Sequence, residues 1–183
     1  IVAGLLSLVY VGVDRSRGKT WAQGLRDVGW TLGKPVDYLR AVGAFAVLAV
    51  IAYPSLRLVP GEITRGLSPY TGVRLTVGSL ARVLLEEGFI MALWEEVFFR
   101  GLLGGWLQRR LGFAVGNWVQ TLIFLGPHLL LLKVSTAIWP VFIVQLAAGW
   151  LQGWLLYRSG SILPGWLVHT ASNVVSAVSA MMV

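Results

Sequence analysis

The sequence predicts an all-α fold, a polytopic transmembrane helical bundle of about five to six spans around a polar intramembrane cavity. Three observations lead there. Of the 183 residues 56% are hydrophobic and 13% charged, more apolar surface than a soluble chain of this length hides in one core. Apolar runs of helix-spanning length follow one another with short polar gaps between them. The later runs are interrupted by carboxylates, imidazoles and an arginine. Such groups cost several kcal/mol each at membrane depth, so the bundle needs a hydrated or paired interior to hold them.

The chain opens on the apolar run Ile1 to Val13, too short to span comfortably and read here as a trimmed first helix or a processed end rather than a signal peptide. Asp14 to Arg40 is polar and basic. Within it Trp21, Leu25, Val28 and Leu32 recur at helical spacing, which predicts a short amphipathic connector in the headgroup region. Ala41 to Val59 is the second predicted span, with a bend expected at Pro54, and Pro60 to Gly78 is a loop rich in Gly, Pro, Ser and Thr. Four apolar segments follow: Ser79 to Leu107, Phe113 to Lys133, Ile138 to Tyr157 and Ile162 to Val183. Two units result: residues 1–78, front membrane segments with the connector, and residues 79–183, which carry all the chemistry.

Alternate loops differ in basic residues. One side collects nine, Arg15, Arg17, Lys19, Arg26, Lys34, Arg40, Arg109, Arg110 and Arg158; the other collects five, Arg57, Arg65, Arg74, Arg82 and Lys133. The richer side is expected to face the cytoplasm. Because they lie between apolar runs, these cations read as topology signals and lipid headgroup contacts rather than a nucleic-acid surface, despite the net charge of +7. The absence of cysteine excludes disulfides, thiolate metal sites and a cysteine nucleophile. Gly101 with Gly105, and Gly149 with Gly153, are small residues four apart that let helix backbones approach closely.

The intramembrane polar residues form three spaced sets. Glu96 and Arg100, four apart, lie on one helical face and can neutralise each other. Glu95 lies about 100° around the helix and is left for a different neighbour. Phe124 and His128 are one turn apart, with Pro127 expected to bend the helix beside the imidazole. His169 and Asn173 repeat the spacing in the last segment. Measured from the presumed cytoplasmic ends at ~1.5 Å per residue, Glu95, His128, His169 and Asn173 come to lie roughly 12 to 22 Å deep, so one cavity can hold them all. A lone buried His or Asn in such a helix is commonly an interhelical hydrogen-bond partner. Two carboxylates, two imidazoles and an amide on three helices exceed what packing requires. Gln120, Gln145 and Gln152 are left as packing or cavity-lining residues.

Glu95-Glu96-Val-Phe-Phe-Arg100, Phe124-Leu-Gly-Pro-His128 and His169-Thr-Ala-Ser-Asn173 resemble, complete and in order, the three motifs of the CAAX prenyl protease and bacteriocin-processing family, the type II CAAX endopeptidases, which are glutamic intramembrane proteases. The resemblance covers roughly Ser79 to Val183. It implies that Glu95, assisted by His128, activates a water for attack on a peptide carbonyl, and that His169 and Asn173 stabilise the oxyanion. Glu96 and Arg100 then fix the helix and Phe124 shapes the cavity wall. That scheme needs no metal and no cofactor. The substrate it implies is a membrane-associated or lipidated peptide or protein, in a bilayer expected to be a prokaryotic plasma membrane, with the cavity reached from the cytoplasmic side.

Competing expectations remain at this stage. Glu95, His128 and His169 also suffice as three zinc ligands, although no HExxH helix is present. A non-proteolytic immunity or scaffold protein would use the same cavity for binding. A proton-coupled transporter also places Glu and His in membrane helices, yet no inverted repeat supports it.

Overall fold

The computed structural model describes Gly12 and residues 18–182. The apolar run expected at Ile1 to Val13, and the basic residues Arg15 and Arg17, lie outside the described residues, Gly12 apart. Every regular element among the described residues is helical.

The connector forms helix α1, Trp21–Asp27, whose Thr20 and Gln23 satisfy each other's end of the chain in a capping box. It is shorter than the periodicity predicts. Gly29 takes φ +77° and turns the chain before Leu32, which is 78% exposed. Helix α2, Pro35–Arg57, starts on a proline whose fixed φ suits the first turn, and Asp37 caps it by accepting from the Lys34 amide at 2.8 Å. It runs on through Pro54. Ala41, Ala44 and Leu48, spaced three and four apart, pack with Ala148, Leu155 and Val168, while Val42, Val50 and Tyr53 point outward. An apolar exterior of this kind is what lipid solvates. The loop expected from Pro60 to Gly78 contains a short helix, α3, Gly61–Leu67, placed by Pro60 immediately before it and Glu62 in its first turn.

From Val77 to Lys133 helical segments follow one another over 57 residues, far longer than one bilayer crossing. It is not uniform. Helix α4, Val77–Val83, widens into a π-helix over Leu84–Ala92; one α-turn, α5, Leu93–Glu95, leads to a second π-helix, Glu96–Gly104; and α6, Gly105–His128, completes it before a 3₁₀ turn at Leu129–Lys133. Gly112, at φ +77° and ψ +165°, breaks α6 in two. Its left-handed backbone folds the second rod back on the first, so closely that a Cβ on Gly116 would sit 2.6 Å from the Gln108 amide nitrogen. The two apolar segments expected on either side of residue 112 are therefore successive rods of one hairpin. Pro127 stands one residue from the end of α6 and closes it, where a mid-helix bend was expected.

Helix α7, Trp139–Ser159, ends on Gly160 in the left-handed conformation, and α8, Leu163–Met181, follows. Helix α7 packs against α2, α6 and α8 and forms the centre. The glycines expected to permit close approach do so. A Cβ on Gly101 would lie 2.5 Å from the Val28 carbonyl oxygen, one on Gly149 3.1 Å from the Thr121 methyl, and one on Gly153 would collide with the Asn117 carboxamide. Helices Pro35–Arg57, Val77–Lys133 and Thr136–Ser159 are each long and apolar enough to cross a membrane.

Gly153→Leu is expected to lower the unfolding temperature in detergent and shift the protein toward aggregate, since overpacking costs about 1–3 kcal/mol. Gly43→Leu, placed where a Cβ meets nothing within 4 Å, is expected to unfold like the parent. Equal behaviour of the two in a thermal size-exclusion assay contradicts this packing.

Candidate active site

Glu95 and Glu96 are neighbours with opposite surroundings, because successive helical residues point about 100° apart. Glu96 and Arg100 are fully buried. The Arg100 Nη1 lies 3.2 Å from Glu96 Oε1, its Nη2 donates to Gln152 Oε1 on α7, and its guanidinium carbon sits 4.0 Å above the Phe124 ring. Carboxylate, amide and aromatic face thus surround one cation. Glu96 Oε1 also accepts from His169 Nδ1 at 3.0 Å, tying α8 to the same cluster. Glu96 Oε2 and Arg100 Nε are buried with no hydrogen-bond partner, so the cluster is held by charge more than by complete hydrogen bonding.

This contact fixes the imidazole. An ionised carboxylate only accepts, so the hydrogen sits on Nδ1 of His169 and its Nε2 points to Glu95, whose Oε2 is 3.7 Å away. His128 is oriented in the same way by backbone. Its Nδ1 lies 2.9 Å from the Phe124 carbonyl oxygen, also acceptor-only, which leaves Nε2 with the lone pair in the neutral ring. The Phe124 ring stacks at a tilt on His128, centroids 4.8 Å apart, and meets His169 edge-on at 6.3 Å.

Glu95, Phe124, His128, His169 and Asn173 line one cavity of about 250 Å³, together with Gln145, Gln152, Ser172, Glu87 and apolar residues that include Leu48 and Met91. At about 30 Å³ per molecule that volume holds several waters. Five of the seven residues singled out in the sequence meet there; Glu96 and Arg100 stand behind the wall and orient it. Of the glutamines, Gln145 and Gln152 line the cavity, whereas Gln120 is packing, its amide donating to the Gly149 oxygen at 2.9 Å. Among the described residues no three His, Cys, Asp or Glu side chains converge as a metal-ligand set.

Sequence reasoning missed Glu87 and Tyr70. Glu87 precedes Glu95 by eight residues, two turns on the same face with Met91 between, and that spacing was the available signal. Its carbonyl oxygen is 3.5 Å from Asn173 Nδ2, and the next carbonyl, of Gly88, accepts from Trp166 Nε1 at 2.7 Å. Both contacts join α8 to the first π-helix. Tyr70, reaching in from the loop before α4, has its hydroxyl 3.0 Å from both Glu86 and Glu87. Burial first, and then these two carboxylates, hold its phenol well above the ordinary tyrosine pKa.

Glu96→Ala would leave Arg100 buried and unpaired, at a cost of about 3–5 kcal/mol. Its folded yield and unfolding temperature are expected to fall below those of a Glu96→Gln, Arg100→Met double variant. The reverse order contradicts the pairing.

Comparison with known proteins agrees with the residues. The family model described as type II CAAX prenyl endopeptidase Rce1-like matches residues 78–175, more than half of the chain and a span that includes all three motifs. No curated protein and no solved structure matches the chain significantly. With Glu95, Glu96, Arg100, Phe124, His128, His169 and Asn173 all inside the matched span, the chain belongs to the Rce1-like family of type II CAAX prenyl endopeptidases, a family of membrane proteases.

Proposed function

We propose that the chain is an intramembrane endopeptidase that hydrolyses a peptide bond of a membrane-associated or lipidated substrate with a water activated by Glu95. The observation that carries this reading is the convergence of Glu95, His128, His169 and Asn173 on one cavity within the helical bundle. Glu95 takes a proton from water, with His128 Nε2 accepting from that water's other hydrogen and holding it in place. The hydroxide forms a bond to the scissile carbonyl carbon, and the electron pair of the C=O moves to oxygen. Asn173 donates to that oxyanion. The 3.7 Å approach of His169 Nε2 to Glu95 supports a second part: the proton held on Glu95 passes to Nε2, which then faces the oxyanion as a donor while Glu96 balances the imidazolium charge. Collapse breaks the C–N bond, and the leaving amine takes up that proton. No metal and no covalent acyl-enzyme enter the scheme.

For the membrane, the reading takes α2, the two rods of the Gly112 hairpin, the 136–159 helix and α8 as five crossings. The nine-cation end faces the cytoplasm of a prokaryotic plasma membrane, and substrate enters the cavity from that side. Residues 1–78 form the front unit and residues 79–183 the catalytic unit.

Purified protein in lipid, offered a panel of lipidated and unlipidated peptides, is expected to cleave at least one lipidated member. Glu95→Gln is expected to lose about 10³-fold in rate, and Asn173→Ala about 10²-fold, with both variants eluting as folded protein. Full activity in Glu95→Gln removes the mechanism.

Exhaustive treatment with a strong chelator is expected to leave hydrolysis unchanged and the protein without stoichiometric zinc. Bound zinc whose removal and return switch activity off and on contradicts the metal-independent scheme.

A further inference from the structure

A second cavity, of about 220 Å³, opens at the end of the bundle where α1, the Gly112 hairpin and the α7–α8 turn meet. Its wall includes Arg26, Asp27, Gly105, Gln108, Arg109 and Tyr157. The contacts that close this end are explicit. Arg109 Nη1 donates to the Asp27 carbonyl oxygen at 3.2 Å, the Ile162 amide to the Gly29 oxygen at 2.9 Å, and Thr31 Oγ1 to the Gly160 oxygen at 3.1 Å. Three loops that carry much of the richer set of cations are thereby drawn together.

The charge of this cavity is uneven. Its one carboxylate, Asp27, is held by Lys19 at 2.7 Å, whereas Arg26 and Arg109 have no carboxylate partner among the described residues. Among the described residues two guanidiniums thus stand without an opposing charge beside a wall that also offers the Gln108 carboxamide and the Tyr157 ring, stacked on Phe113 at 4.3 Å. Position 105 matters here. A Cβ there would lie 3.0 Å from Arg109 Nη1, so a larger residue would push this guanidinium a few tenths of an ångström from its place by the Asp27 carbonyl. Guanidinium forks match phosphate oxygens in geometry as well as charge.

Depth decides the source of the phosphate. Trp21, Trp30 and Trp106 belong to the segments around this cavity and are 49%, 37% and 48% exposed. Exposed tryptophans gather at the level of lipid headgroups. Basic recesses between membrane helices at that level suit anionic headgroups.

We propose that this recess is a binding site for the phosphate of an anionic phospholipid headgroup, held by Arg26 and Arg109. The site lies apart from the cavity of Glu95 and His169, and it stands whether or not that cavity hydrolyses peptides.

The test is retention of lipid. Protein equilibrated in mixed micelles of phosphatidylcholine and phosphatidylglycerol is delipidated stepwise, and retained lipid is counted by native mass spectrometry. The parent is expected to keep one phosphatidylglycerol in preference to phosphatidylcholine, and the Arg26→Gln, Arg109→Gln double variant to lose that preference about tenfold. Arg65→Gln with Arg74→Gln, both exposed and on the side with five cations, removes the same charge elsewhere and is expected to retain the lipid as the parent does. A matching elution volume for all three proteins shows that the loss is not unfolding. Equal retention by the two double variants overturns the site. An inorganic phosphate adduct that forms without lipid and displaces phosphatidylglycerol at millimolar concentration overturns the lipid assignment and leaves a soluble-phosphate site.

Discussion

The fold turns on one buried cation. Arg100 carries its charge at a fully buried position, and it is tolerable there only because Glu96 sits one turn below, Gln152 reaches from α7, and Phe124 offers its ring face. These partners come from separate rods. Glu96 in turn holds His169 on α8. One ion pair therefore sets the mutual positions of four helical segments, and the cavity lies on the other side of that cluster. Glu95 can be presented to water because its neighbour in sequence is committed to structure.

The backbone of the first rod is as unusual as its side chains. Two nine-residue π-helices, Leu84–Ala92 and Glu96–Gly104, flank the single α-turn that bears Glu95. Widened turns of this kind gather at functional sites, since they loosen the regular ladder and free carbonyls for other partners. Here the carbonyls of Glu87 and Gly88 meet Asn173 and Trp166 of α8. Side-chain recognition across the helix pair thus takes over part of what the ladder gives up, and Asn173 is held over the cavity in consequence.

Much of this was legible in the sequence, for identifiable reasons. Glu96 with Arg100 and His169 with Asn173 repeat every four residues, so a helix places each pair on one face whatever its exact winding. Apolar runs located the helical segments, but the reversal at Gly112 came only with the structure, where its positive φ breaks the rod in two. What periodicity could not supply was the partner across space. Gln152 was left as a packing or cavity-lining residue, because nothing in its own helix shows that Arg100 lies opposite. Glu87 was passed over because it sits in a separate Glu pair, and Tyr70 because it comes from a loop read as a mere spacer. The connector helix came out shorter than its pattern, since Gly29 turns the chain before the fourth apolar position is reached. His169 was read as an oxyanion donor, and spacing along the chain gave no sign that its ring would lie 3.0 Å from Glu96 and 3.7 Å from Glu95.

The central claim is spatial, and the absence of cysteine makes it directly measurable. Met91 on the Glu95 rod and Ser172 on α8 line the same cavity. With cysteine introduced at both positions, a short bifunctional maleimide is expected to join them within one chain and to stop peptide hydrolysis, while either single cysteine variant remains uncrosslinked. Failure of the pair to crosslink in folded protein, or a fully crosslinked protein that still cleaves at the parent rate, contradicts the account.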